Sequence, residues 1–74
     1  MVRSGIVKSL DRAQKCGVIE DAKGREFFFT AFECDGQELP KLHTVVTFVK
    51  DPDYKSTDVA MLIKRSEVYE RLTG

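Results

Sequence analysis

Glu26-Phe27-Phe28-Phe29-Thr30 is the stretch that decides how this chain folds. Three consecutive aromatic rings suit a pleated, half-buried strand and are unhelpful in a short helix. Side chains alternate across a strand, so Phe27 and Phe29 share one face and Phe28 takes the other. Asp21-Ala22-Lys23-Gly24 precedes the run and reads as a hairpin turn, with Gly24 free to take positive φ. A strand must find partners for its backbone groups, and the flanking sequence supplies them.

Upstream, Cys16-Gly17-Val18-Ile19-Glu20 reads as the adjoining strand. Gly17 marks either a bulge or a place where another backbone comes close. Residues 5–10, Gly-Ile-Val-Lys-Ser-Leu, form a strand before it, joined by a polar turn over residues 11–15. Downstream, residues 31–43 are irregular, with a turn at Asp35-Gly36 and with Pro40 preventing regular pairing. Residues 44–50 alternate as a fourth strand, with Val46 and Phe48 on one face. Asp51-Pro52-Asp53 opens a loop through Tyr54 and Lys55, and residues 58–64 form a fifth strand in which Ala60 and Leu62 share a face.

Alternation thus offers Phe27 with Phe29, Val46 with Phe48, and Ala60 with Leu62 as the candidate interior. Val45, Val49, Val59, Met61 and Ile63 fall on the second face of the last two strands. Ser66 is a good helix cap, and Val68, Tyr69 and Leu72 follow on one side of a short helix. At two turns such a helix is marginal alone, so it is expected to cover part of that second face. A dimer contact is the competing use of the same surface. Five short strands, tight early hairpins, one long connection and no alternating helices predict an all-β fold. The expectation is a five-stranded antiparallel Greek-key β-barrel over residues 1–65, with a short C-terminal helix over 66–74.

A chain of 74 residues makes one domain with a thin core, burying roughly 60% of its unfolded surface. Apolar residues at 42% and charged residues at 32% describe an ordinary globular chain rather than a disordered or membrane-embedded one. No apolar run approaches the ~18 residues of a membrane span, and Met1-Val2-Arg3-Ser4 does not open a secretory signal. Two cysteines and one His43, irregularly spaced, make neither a disulfide framework nor a zinc pattern. A cytoplasmic chain with reduced thiols, no cofactor and no membrane contact is expected. The net charge is zero, but residues 1–19 carry a balance of +3 and residues 20–53 one of −4. One end of the chain is thus basic and the middle acidic.

The order of these motifs resembles the cold-shock domain family. Gly5-Ile6-Val7-Lys8 matches the family's first-strand signature. Lys15-Cys16-Gly17-Val18-Ile19 falls at its first ribonucleoprotein motif, Gly-Phe-Gly-Phe-Ile, and residues 26–31 fall at its second, Asp-Val-Phe-Val-His-Phe. Val46-Thr47-Phe48 and then Val59-Ala60 with Leu62 fit the last two strands, so the likeness covers roughly residues 3–65. It implies an OB-type barrel in which Val7, Ile19, Phe27, Phe29, Val46, Phe48 and Leu62 take the buried positions, and binding of single-stranded RNA or DNA on the open face of strands one to three, where rings stack on bases and Lys or Arg follow the phosphates.

Carried over position by position, the implied nucleic-acid site is Lys8, Ser9, Leu10, Arg12, Lys15, Cys16, Val18, Phe28 and Thr30. Ser9 and Leu10 replace the family's Trp-Phe, Cys16 and Val18 replace the two Phe of the first motif, and Thr30 and Ala31 replace the closing His and Phe. Only Phe28 keeps its ring. Losing four or five rings at ~1 kcal/mol each weakens binding by three orders of magnitude or more. Lys8, Arg12 and Lys15 would restore some salt-sensitive attraction. The alternative is a protein-interaction module, homodimeric or with another partner, using the ring-free patch at Cys16 and Val18 or the C-terminal segment. Tyr54 is read as pinning its loop, His43 as a solvated loop residue, and Glu20, Asp21 and Glu26 as solvent-facing acids beside a hairpin. No nucleophile with a base, no phosphate loop and no paired carboxylates are recognisable, so the expected role is binding rather than catalysis.

Overall fold

Alternating apolar residues, with Gly17 at a close approach and Gly24 in the turn, build a meander of three strands. A computed structural model describes residues 1–54 and 57–66. β1 (Arg3–Asp11) pairs antiparallel with β2 (Cys16–Asp21), and β2 pairs antiparallel with β3 (Glu26–Thr30). After two short 3-10 turns, Ala31–Glu33 and Asp35–Gln37, β4 (Val45–Lys50) returns to the free side of β1. β5 (Ala60–Arg65) adds beyond it, giving the order β3-β2-β1-β4-β5 with every neighbouring pair antiparallel.

The sheet curls until its two ends meet. The Phe28 N–H donates to the Asp58 carbonyl at 2.9 Å, and parallel bridges join Phe28 to Val59 and Cys34 to Ile63. The result is a curled half-barrel, consistent with an OB-like barrel. Its inside is filled by Val7, Ile19, Phe27, Phe29, Val46 and Phe48, all essentially inaccessible to solvent. Each such side chain contributes ~1.5–3 kcal/mol by leaving water. The Phe27 and Phe48 rings pack at 4.8 Å between centroids with a 57° tilt, a favourable edge-on arrangement.

Gly17 proves to be a close approach. A Cβ there would lie 2.6 Å from the Ser9 carbonyl oxygen and 2.9 Å from the Phe29 ring. The bulge lies across the ladder, on β1, where the pairing steps from Val7–Ile19 to Ser9–Val18 and leaves Lys8 over. Gly24 takes φ 80° in the β2–β3 hairpin, as its turn requires.

β5 departs from simple alternation. Leu62, expected beside Ala60 in the core, is 58% exposed, and Ile63 is buried instead. The β4–β5 register shifts between Thr47 and Val49, and Leu62 sits at φ 55°. One extra residue inverts the alternation, so Ala60 and Ile63 both face inward although three positions apart. Val45, Val49, Val59 and Met61 are half-buried, as a second-face row. The helix expected over 66–74 lies, apart from Ser66, outside the described residues. The Ser66 N–H donates to the Val45 carbonyl at 3.0 Å and so prolongs the β4–β5 pairing. Among the described residues no helix is long and apolar enough to cross a membrane.

Candidate functional site

With Phe27 and Phe29 inside, period two sends Glu26, Phe28 and Thr30 of β3 outward, together with Cys16, Val18 and Glu20 of β2. Cross-strand pairing then sets Val18 opposite Phe28, Cys16 opposite Thr30, and Ser9 of β1 opposite Val18. These five residues form one outward patch, and Phe28, 44% exposed, is its aromatic member. Five of the nine residues implied by the resemblance are thereby brought together.

Lys8 stands beside them under different constraints. Glu20 and Glu26 lie directly opposite each other on β2 and β3, a like-charge pair that alone would repel. The bulge sends the Lys8 side chain over that pair, with Nζ 2.5 Å from Glu26 and 3.0 Å from Glu20. Its pKa is raised, first by the hydrogen bond to Glu26 and then by that to Glu20. Two carboxylates on one ammonium leave this end of the face with a net charge of about −1. All three groups are half-exposed, so solvent screening keeps the effect local.

Leu10 lies opposite Gly17 and packs half-buried against the core, as Leu39 also does, away from the outward patch. Arg12 and Lys15 sit in the turn between β1 and β2, where the Gln14 N–H donates to the Asp11 carboxylate at 3.1 Å and Lys15 takes φ 55°. Both are exposed. Among the described residues neither enters an ion pair. Together with Leu39 and Gln37 they edge a cavity of about 330 Å³ at this end of the barrel.

Asp21 is more than a solvent-facing acid. Its Oδ1 accepts the backbone N–H of Lys23 and of Arg25, each at 2.9 Å, and its Oδ2 meets the Arg25 guanidinium at 3.3 Å. The Arg25 N–H above all holds this carboxyl below its usual value, and burial opposes the shift. Asp21 therefore fixes the β2–β3 turn. His43 is an exposed loop residue, with φ 70° and its N–H on the Val7 carbonyl at 2.8 Å.

Two surface features escaped the sequence reading. A groove of about 420 Å³ runs over the outer side of β1 and β4, floored by Ile6 and Val45 and walled by Ala22 and His43. Ile6 and Val45 are paired across the strands and alternate with the buried Val7 and Val46. Apolar residues on both faces of the two strands were the available signal. The second feature is Phe32, 79% exposed, for which strand alternation offers no signal because it lies on a 3-10 turn. Cys16 is half-buried and Cys34 buried, and both are free thiols. Among the described residues no group of three His, Cys, Asp or Glu side chains is placed to hold a metal ion. Compared with known proteins, the chain matches no family model and no curated sequence.

Proposed function

We propose that this chain binds single-stranded RNA or DNA, weakly, on the outer face of β1–β3, as a divergent cold-shock-type barrel with Greek-key connectivity. It works without catalysing a reaction, in a reducing cytoplasm where both thiols stay reduced. The observation that carries the reading is Phe28. Its ring stands outward opposite Val18, at the position where the family keeps a stacking aromatic. One base stacks on this ring for ~1–3 kcal/mol, and the chain's path is guided by Arg12 and Lys15. Lys8 adds little, because Glu20 and Glu26 already hold its charge.

The experiment is a titration of a short, labelled pyrimidine-rich strand at two salt concentrations. With about two phosphates neutralised, a slope of ~0.7 per phosphate makes binding fall ~7-fold for a fourfold rise in salt. Phe28→Ala should weaken binding ~5–150-fold. Absence of binding at low salt with millimolar protein, or indifference to Phe28→Ala, defeats the proposal.

A further inference from the structure

The groove over β1 and β4 has an apolar floor that lies outside the barrel core. Ladder pairing sets Glu20, Ile6 and Val45 in one row across β2, β1 and β4. The Ser66 N–H on the Val45 carbonyl, at 3.0 Å, adds Ser66 to that row. Residues directly opposite in a ladder share a face, so all four stand on the outer side. Ile6 is 48% exposed there and Val45 is half-buried, beneath a cavity of about 420 Å³.

Ser66 is where the described chain leaves the sheet, one strand from Val45 and two from Ile6. With ~4.8 Å between strands, the far side of this floor is about 10 Å away. Residues 67–74 follow, outside the described residues, and carry Val68, Tyr69 and Leu72. Even at the short rise of a helix such a segment covers ~12 Å. Val49 and Met61, another outer pair, lie back along β4 and β5 by roughly 13–17 Å, against the direction in which the chain leaves. The floor of Ile6 and Val45 is therefore the apolar surface that the departing chain meets first.

The walls call for no charged occupant. Lys8 is held by Glu20 and Glu26, and Asp21 by Arg25. An apolar segment suits such a groove better than an ion does.

We propose that residues 67–74 of the same chain cover this groove, with Val68 over Val45 and Leu72 over Ile6. Four residues advance ~6 Å along a helix, close to the spacing of β4 and β1. The cover buries the outer side of two strands whose inner side, Val7 and Val46, already fills the barrel. Phe28 does not line the groove, so the proposed nucleic-acid face stays open.

The test uses the full chain, isotopically labelled, and reads nuclear Overhauser contacts from the Ile6 and Val45 methyl groups to those of Val68 and Leu72. Such contacts are expected within one chain, at low and at high salt alike. Mixing labelled with unlabelled chains separates contacts made between copies. Leu72→Ala should lower the melting temperature by about 4–8 °C. Ile6→Ala and Leu72→Ala combined should lower it by less than the sum of the two alone, because each removes one side of the same contact. Contacts that run to Val49 or Met61 instead overturn the proposal, as do contacts found only between copies. Strictly additive losses, or no contacts with an unchanged melting temperature in Leu72→Ala, overturn it as well.

Discussion

Replacing Phe27 and Phe28 by alanine, one at a time, separates the two faces of β3 energetically. Phe27 has no accessible surface and packs on Phe48, so truncation should cost ~3–5 kcal/mol through lost transfer energy and the cavity left behind. A chain of 74 residues has a total stability of roughly 4–11 kcal/mol, so Phe27→Ala brings it near its folding limit. Phe28 keeps 44% of its surface in water. A phenylalanine buries ~200 Å² at most, so a little over half of that at ~25 cal/mol per Å² sets an upper bound near 3 kcal/mol. The compact unfolded chain lowers this to about 2 kcal/mol. Urea unfolding followed by far-ultraviolet circular dichroism suits a chain without tryptophan. Oligonucleotide titration should then show the reverse ranking, with folded Phe28→Ala losing affinity. If Phe28→Ala destabilises as much as Phe27→Ala, the assignment of faces on β3 is refuted.

Three further expectations concern single residues. Gly17→Ala places a methyl group 2.6 Å from a backbone oxygen and 2.9 Å from a core ring, so it should cost ~1–3 kcal/mol; an unchanged urea midpoint would refute the close packing of β1, β2 and β3. Burial, with the Glu33 carboxylate adding, pushes the Cys34 thiol up to about 11 from 9.0. The unfolded chain therefore loses this proton first, so stability is complete below about pH 9 and falls as pH rises towards 11. Cys34→Ala should flatten that dependence in urea titrations, and a thiol reagent at neutral pH should modify Cys16 before Cys34. Glu26→Gln removes one carboxylate from Lys8, so low-salt oligonucleotide affinity should rise and the salt slope should steepen by up to ~0.7, with no change in either counting against the face centred on Phe28.

What the sequence determined by itself is the local grammar of the fold. Phe27, Phe29, Val46 and Phe48 read as interior because period two is a property of each strand alone, and all four are buried. The turns at Gly24 and Gly36 were legible because both positions take positive φ, which glycine tolerates at least cost. Phe28 was legible as the outward ring for the same reason as its buried neighbours. Tertiary structure decided whatever depends on a partner distant in the chain. Bulges at Lys8 and Leu62 arise from mismatched cross-strand registers, and no pattern within β1 or β5 announces them. They turned Leu62 out, brought Ile63 in, and delivered Lys8 to two glutamates rather than leaving its charge free. The character of each strand is thus written residue by residue, whereas the charge of the outer face exists only once the strands are paired.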